Sequence, residues 1–129
     1  MVTDASALVE VLLQMPAAAA VEAQLFDSGH TLHAPHLLDV EVTQVIRRHA
    51  ASGRIAERRG WTALDLLIGM PIQRYPHDAL LPRIWELRDN LSAYDAAYVA
   101  LSEALDATLL TRDVKLAAAV RRFTRVELI

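Results

Sequence analysis

The stretch that decides the fold is ATLLTRDVKLAAAVRRFTRVELI, residues 107–129. It begins with a short apolar run at residues 108–110, which has the length and composition of a buried strand. Residues 114–122 follow with the apolar spacing of a helix, and VELI at residues 126–129 alternates like a second strand. A strand, a helix and another strand in this order predict a parallel sheet.

The same alternation extends outward over the rest of the chain. Further strands are predicted just before Asp4 and at residues 31–34 and 71–75, and helices at residues 6–13, 17–27, 37–50, 55–68, 80–87 and 94–105. The helix at residues 17–27 is expected to stop at Ser28-Gly29. We therefore expect one domain, residues 1–129, with a three-layer α/β/α fold in which helices flank a central, mainly parallel sheet.

Composition bounds the class of protein. A chain of 129 residues with 53% hydrophobic residues has the size of one domain and can bury a core without cross-links. The absence of cysteine excludes disulfides and thiolate metal sites, and makes a reducing cytoplasm the expected compartment. No stretch reaches the roughly 18 apolar residues of a membrane span, and the start lacks a signal-peptide pattern, so no membrane contact is expected.

The formal net charge of −3 argues against a protein that binds nucleic acid by overall attraction to phosphate. Basic residues are nevertheless clustered along the chain, and most of these clusters are expected to be solvated helix faces. Arg112 and Lys115 are the exceptions. They flank Asp113 and could approach phosphates beside a metal.

Four acidic residues stand where a site could form. Asp4 and Asp113 each follow a predicted strand, and parallel sheets place functional groups at the carboxyl ends of their strands. Glu41 borders the apolar stripe of its helix, where a lone charge is unfavourable. Asp95 stands at the start of the helix YDAAYVALSEAL.

Each acid also has a purely structural interpretation. Asp4 and Asp113 precede helices and would serve as N-caps, while Asp95 completes a Ser-x-x-Asp capping box. The negative charge of Glu41 beside the core needs a positive charge or hydrogen-bond donors near it, and an arginine such as Arg48 would supply the positive charge.

The combination of acids is more informative than its members. Two like charges about 5 Å apart repel by roughly 3 kcal/mol at an effective dielectric of about 20, so converging carboxylates need protons or a cation. With no cysteine present, a hard divalent ion such as Mg²⁺ or Mn²⁺ fits. Such an ion orients a water, lowers its pKa and stabilises charge on a phosphodiester. Ser6 and Thr111, each two residues from an aspartate, would hydrogen-bond the ligands or a metal-bound water.

Four segments carry a resemblance to a known family. VTDASALVE, APHLLDVEVTQVIRR, LSAYDAAYVALSEAL and ATLLTRDVKLA occur in the order and approximate spacing of PIN-domain proteins, and the length resembles the VapC toxins of bacterial toxin–antitoxin pairs. The resemblance implies a PIN-like fold and a Mg²⁺- or Mn²⁺-dependent endoribonuclease, the toxin of a VapBC-type pair. The family's acidic quartet matches Asp4, Glu41, Asp95 and Asp113, of which the fourth is the more variable position.

The resemblance also implies partners and surroundings. RNA would be the substrate, with Arg112 and Lys115 as candidate contacts. A VapB-like antitoxin would lie across the helices near the site, and the chain would form a homodimer. Ser6 and Thr111 match polar positions around the site in relatives. Asp106 stands where relatives often carry glycine at a helix end, and aspartate tolerates a left-handed backbone better than most residues.

A noncatalytic metal-binding regulatory or interaction domain is the alternative. A phospho-receiver also combines a parallel sheet with an acidic magnesium pocket and a nearby threonine and lysine, which Thr111 and Lys115 could represent. A receiver needs adjacent acids after its first strand, however, and VTDAS lacks them. An inactive PIN domain that only binds its partner is a third interpretation, and intact acids at all four positions argue against it.

The histidines do not suggest a zinc site. His33 and His36 are separated by Pro35 rather than carried on one helix, and the others are expected on loops or the surface: His30, His49 and His77. His36 is expected near the acids because it precedes the helix of Glu41. The two tryptophans, Trp61 and Trp85, are expected to fill the core or an interface rather than to stack on bases.

Overall fold

The computed structural model describes residues 1–26 and 29–129, and within them short strands alternate with α-helices. The strands are β1 (Val2–Thr3), β2 (Leu32–Pro35), β3 (Ile72–Tyr75), β4 (Leu109–Thr111) and β5 (Val126–Leu128). The α-helices are α1 (Ala5–Leu12), α2 (Ala18–Leu25), α3 (Leu37–Ala51), α4 (Glu57–Gly69), α5 (Leu81–Glu86), α6 (Ala93–Ala104) and α7 (Val114–Val120).

The five strands form one parallel sheet in the order β3-β2-β1-β4-β5. Val2 of β1 is in register with His33 on one side and with Leu109 on the other, so the first strand lies at the centre. The predicted α/β fold with a parallel sheet flanked by helices is confirmed. The order also differs from the 2-1-3-4-5 order of receiver-type folds, and the receiver-like interpretation is therefore wrong.

The strand order reverses between β1 and β4. After β1 the chain builds β2 and β3 on one side of it, and then returns to add β4 and β5 on the other. Loops at such a reversal diverge and leave a crevice at the carboxyl ends of the strands, which is where α/β sheets hold their ligands. Asp4 follows β1 and Asp113 lies two residues beyond β4, so both residues lie at this reversal.

The core forms where the helices pack on the central strands. Val2, Leu109 and Leu110 are wholly buried in the sheet, and Leu8 of α1 and Leu38 of α3 are wholly buried beside it. Each such side chain contributes about 2 kcal/mol through removal of apolar surface from water. This core holds in place the helix ends that carry the acids.

The predicted elements agree with the observed ones, apart from residues 80–87. The segment predicted as a helix at residues 80–87 is a 3₁₀ turn, Asp78–Leu80, followed by α5, because Pro82 is favoured only in the first turn of a helix. The prediction that the second helix reaches residue 27 and stops at Ser28 lies outside the described residues. After α6, Asp106 has φ of 47°, the left-handed conformation expected for this position.

The tryptophans do not fill the core. Trp61 is 64% exposed and Trp85 is 69% exposed, so the core half of the expectation is wrong, and the alternative, that they fill an interface, stays a prediction. Both lie on the outer faces of their helices, and the Arg88 guanidinium covers the ring of Trp85 at 4.9 Å from its centroid.

None of the helices in the described part of the chain has the length and apolar character needed to cross a bilayer.

Candidate active site

Asp4 is held in place at the centre of the sheet by three neighbours. The Thr111 hydroxyl, at the end of β4, donates to Oδ2 at 2.5 Å, and the Ser6 hydroxyl lies 2.7 Å from Oδ1. The Ala7 main-chain N–H donates to Oδ1 at 3.1 Å, so Asp4 is the N-cap of α1, as its sequence position predicted. The carboxylate is only 5% exposed, and burial raises its pKa despite these donors.

The same two hydroxyls join α1 to the loop after β4. Ser6 Oγ accepts from the main-chain N–H of Arg112 at 2.8 Å, and Thr111 Oγ1 accepts from that of Asp113 at 2.9 Å. The two hydroxyl oxygens are 3.3 Å apart. Ser6 and Thr111 therefore fix the position of Asp4 relative to the β4–α7 loop.

Asp113 caps the last helix and is exposed. Its Oδ1 accepts from the main-chain N–H groups of Lys115 at 2.8 Å and Leu116 at 3.0 Å, so the cap predicted at this position is confirmed. The negative charge of Asp113 also raises the pKa of Asp4 and of Asp95. Asp113 is therefore both the N-cap of α7 and a close neighbour of the other acids.

Glu41 lies in the second turn of α3 and faces α6. Its Oε2 accepts from the Tyr98 hydroxyl at 2.5 Å. Burial raises the pKa of Glu41, the Tyr98 hydrogen bond lowers it, and the charges of Asp4 and Asp95 raise it further, for a net increase. Among the described residues no ion pair joins Arg48 to Glu41, so the partner expected from the sequence is wrong.

Tyr98 is a site residue that the sequence reasoning missed. It lies three residues after Asp95 on α6 and is 2% exposed. Its pKa is raised well above the ordinary tyrosine value by burial and by the Glu41 charge, so the hydroxyl remains a donor. The spacing was a usable signal, because residues three apart share one face of a helix.

Asp95 reaches the site from the first turn of α6. Ser92 Oγ accepts from the main-chain N–H of Asp95 at 3.1 Å, so the serine half of the predicted capping box is present. Burial and the charge of Asp113 raise the pKa of the Asp95 carboxyl. Burial is thus the largest cause of the raised pKa values of Asp4, Glu41 and Asp95, and the charges of neighbouring acids raise them further.

That space is an open cavity of about 800 Å³, called the acidic cavity below. Its lining includes all four predicted acids together with Ser6, Glu10, Tyr98 and Arg112. Among the described residues, no three acidic or histidine side chains are already arranged closely enough to share one metal ion. The donors themselves fit a hard divalent cation, since they are carboxylate oxygens whose mutual repulsion a cation would relieve.

Of the other predicted site residues, one lines the acidic cavity and two lie outside its lining. Arg112 lines the acidic cavity and forms an ion pair with Glu10, 3.0 Å between Nε and Oε1. Lys115 is exposed and, in the described part of the chain, is not among the residues that line the cavity. His36 is likewise exposed and outside the lining; its ring lies edge-on to that of His77, 6.1 Å between centroids.

A parallel sheet with four carboxylates around one cavity beside its strand-order reversal defines an α/β domain with an acidic site. Comparison with known proteins identifies its family. The PIN domain family matches residues 1–121, and the chain belongs to this family.

The relatives of the chain within the family are VapC proteins. It is 45% identical over 119 residues to Ribonuclease VapC1 of Mycobacterium tuberculosis, covering 92% of this chain and 89% of that protein. It is 43% identical over 115 residues to Ribonuclease VapC9 of the same species, with 89% and 87% covered. The fold resembles the crystal structure of VapBC2 from Rickettsia felis bound to a promoter DNA fragment, at a TM-score of 0.71, 14% identity and coverage of 98% and 96%.

Proposed function

We propose that this chain is a divalent-metal-dependent endoribonuclease, the toxin of a VapBC-type toxin–antitoxin pair. In this proposal residues 1–129 act as one PIN domain, and Mg²⁺ or Mn²⁺ is the cofactor. The chain's similarity to proteins named Ribonuclease VapC supports the activity and the substrate class.

The observation that carries the proposal is the shared position of the four acids. They come from distant parts of the chain, yet Asp4, Glu41, Asp95 and Asp113 line one cavity at the strand-order reversal. A fold that collects like charges loses stability unless a ligand offsets their repulsion. A cation-dependent function explains why all four are present.

The four carboxylates would hold the ion. The ion supplies Lewis acidity, which lowers the pKa of a water and neutralises charge on the phosphodiester under attack. Asp4 contributes a carboxylate already oriented by Ser6 and Thr111. Asp113 is exposed and Asp95 is partly exposed, which leaves these side chains room to move towards a shared ligand.

Tyr98 orients the carboxylate of Glu41. Its hydroxyl holds Glu41 Oε2 at 2.5 Å, and the hydrogen bond favours the ionised form of Glu41. Such supporting hydrogen bonds set the direction and basicity of a metal-binding carboxylate. Arg112, at the edge of the acidic cavity, would contact the phosphates of the RNA.

We also infer the partners and the compartment. A VapB-like antitoxin would restrain the site, which the likeness to the VapBC2 structure supports, and the chain would act as a homodimer in the cytoplasm. Large apolar side chains stand in solvent on α3 and α4, where Val40, Trp61 and Ile68 are each more than half exposed. Trp61 and Ile68 border the same groove, and an exposed apolar surface of this kind supports a protein partner.

The activity is tested with purified, antitoxin-free protein and total cellular RNA. We expect discrete fragments with Mg²⁺ or Mn²⁺ and none with a chelator. Asp4→Asn and Asp95→Asn should each reduce the cleavage rate by at least about 100-fold while the circular dichroism spectrum is unchanged. The matched control is Asp89→Asn, which removes a carboxylate from an exposed position outside the lining of the acidic cavity.

A folded protein that cuts no RNA with either ion would contradict the proposal. Weight would then move to the noncatalytic PIN interpretation, in which the domain only binds its partner. Equal activity of the parent and the two acid variants would instead locate cleavage outside these carboxylates.

A further inference from the structure

Glu10 is an acidic residue in a mostly apolar, buried helix. Seven of the eight residues of α1 are buried, and Glu10 is the only acid among them. It is 8% exposed, and its Oε2 has no hydrogen-bond partner within the described residues. Such an unsatisfied oxygen destabilises the fold, and leucine or methionine would pack at this position without that cost. Packing within α1 therefore does not explain Glu10.

The side chain that Glu10 contacts is Arg112. Arg112 Nε lies 3.0 Å from Glu10 Oε1, and Nη1 donates to the main-chain oxygen of Ile129 at 3.2 Å. Within residues 1–26 and 29–129, these two contacts use Nε and Nη1 and leave Nη2 for a ligand. The Arg112 side chain is 31% exposed and lines the acidic cavity, so these N–H groups are accessible to a ligand there.

Arg112 is fixed at both ends. Its main-chain N–H donates to Ser6 Oγ at 2.8 Å, and the same hydroxyl contacts Asp4 at 2.7 Å. Glu10 and the Ile129 carbonyl hold the guanidinium. A long cationic side chain held in this way loses little conformational freedom when it binds an anion.

We propose that Glu10 is a positioning residue that holds the Arg112 guanidinium at the edge of the acidic cavity, where its free N–H groups contact a phosphate of the bound RNA. This inference rests on the proposed ribonuclease function and names one contact through which the site takes its substrate. The planar donors of a guanidinium match phosphate oxygens. A cation here also offsets the repulsion between the four carboxylates and the approaching phosphate.

The proposal predicts a change in RNA affinity on removal of Glu10 that is opposite in sign to the change expected from net charge alone. By charge alone, deleting an acid from a site that binds a polyanion strengthens binding. If Glu10 acts through Arg112, its removal weakens RNA binding, because the guanidinium loses its fixed position. The sign of one affinity change therefore separates the two explanations.

The test measures the affinity of a fluorescently labelled, short single-stranded RNA by anisotropy. The buffer contains a chelator and the chain carries Asp95→Asn, so that no cleavage occurs. We expect Glu10→Leu to weaken binding about tenfold and Arg112→Gln to weaken it by a similar factor. Arg112→Gln should also reduce the slope of log affinity against log salt by about 0.7, the value for one phosphate contact to a single strand.

Two comparisons show whether Glu10 acts through Arg112. The double variant Glu10→Leu/Arg112→Gln should bind like Arg112→Gln alone, because nothing is left to position. Glu10→Gln keeps the shape and an oxygen acceptor for the guanidinium, and should retain most of the affinity. In the cleaving chain, Glu10→Leu should raise KM about tenfold with kcat nearly unchanged.

Matched controls cover charge and folding. Asp89→Asn removes one acid from an exposed position and should leave the affinity unchanged or slightly tighter. Glu10→Leu should stay folded with a melting temperature close to that of the parent chain, since the Arg112 guanidinium that loses its ion pair is 31% exposed and can be solvated.

Four results would overturn the inference. They are unchanged or tighter binding by Glu10→Leu, additive losses in the double variant, no RNA binding by the parent, and loss of the fold in Glu10→Leu, which would assign Glu10 to stability. A chain that binds the probe as expected but cuts no RNA would contradict the proposed function alone.

Discussion

The Tyr98 hydroxyl lies 2.5 Å from Oε2 of Glu41 and connects α6 to α3 across the acidic cavity. This contact ties two of the four acids together, because Asp95 lies one turn before Tyr98 on the same helix. The orientation of Glu41 therefore depends on a residue 57 positions later in the chain.

Tyr98→Phe should shift the pH dependence of cleavage. The hydrogen bond lowers the pKa of Glu41, so its loss raises a pKa that burial has already raised. The acid limb of the pH–rate profile should move to higher pH, and metal affinity near neutral pH should fall roughly tenfold. The cleavage rate is measured as a function of pH between about pH 5 and 8.

The matched control for this change is Tyr75→Phe. Tyr75 also donates or accepts a hydroxyl hydrogen bond, to His33 at 2.9 Å, but it lies outside the lining of the acidic cavity. Its profile should coincide with that of the parent. An acid limb that stays in place in Tyr98→Phe would show that Glu41 does not govern it.

Thr111→Val should weaken the site and the fold together. The hydroxyl donates to Asp4 and accepts from the Asp113 N–H, so valine leaves one buried carboxylate oxygen and one main-chain donor with fewer partners. We expect metal affinity to fall by about 10- to 100-fold and the free energy of unfolding to fall by about 1–3 kcal/mol. Isothermal titration with Mn²⁺ and urea denaturation measure the two.

Thr62→Val serves as the control for the lost hydroxyl. Thr62 is exposed on α4, and within the described part of the chain its hydroxyl bonds only the Arg58 carbonyl one turn earlier. It should change neither quantity beyond about 0.5 kcal/mol. Metal affinity that survives in Thr111→Val would mean that Asp4 needs no support from β4.

Asp95→Asn should make the metal-free protein more stable. The folded-state pKa of Asp95 is raised, so its contribution to stability decreases as pH rises from the unfolded-state pKa through the folded-state pKa, and the penalty is complete at neutral pH. Asparagine removes the charge, and the melting temperature in chelator should rise by about 1–3 °C. Asp89→Asn, at an exposed position, should not change it.

Adding Mg²⁺ should reverse that order. A cation that binds only the folded chain raises its melting temperature with concentration, and the parent should gain more than Asp95→Asn. Differential scanning fluorimetry over a Mg²⁺ series measures both. Identical gains in the two chains would indicate a metal site that does not use Asp95.

Asp106→Gly should be tolerated, whereas Asp106→Val should destabilise the chain. The φ of 47° at this position is left-handed, which costs a β-branched residue about 1–2 kcal/mol and costs glycine little. The Arg125 ion pair lost in both variants is exposed and contributes little. Urea denaturation measures the free energies, and equal values for the two variants would contradict a backbone origin.

Much of the fold and part of the site could be predicted from local patterns. The strands and helices follow from apolar runs and helical spacing, and the caps at Asp4 and Asp113 follow from side chains that bond main-chain groups two or three residues away. The positions of these acids after β1 and β4 were also readable, since a parallel sheet aligns the ends of its strands.

Other contacts could not be predicted from local patterns. Arg48 was one helical neighbour among several for Glu41, while the actual partner, Tyr98, comes from another helix. The Glu10–Arg112 ion pair joins residues about a hundred positions apart, and its acid lies in a stretch that reads as uninterrupted core. The exposure of Trp61 and Trp85 could not be predicted either, because a residue's hydrophobicity does not specify whether its face of the helix is covered by other elements.

By itself the sequence determined the succession of elements, the helix caps and the acids that follow the strands, because these depend on interactions within a few residues. The tertiary structure decided the strand order, the pairing of Glu41 with Tyr98 and of Glu10 with Arg112, and the side chains left in solvent. Those outcomes depend on which faces of distant segments meet, and that is settled by packing the whole core at once.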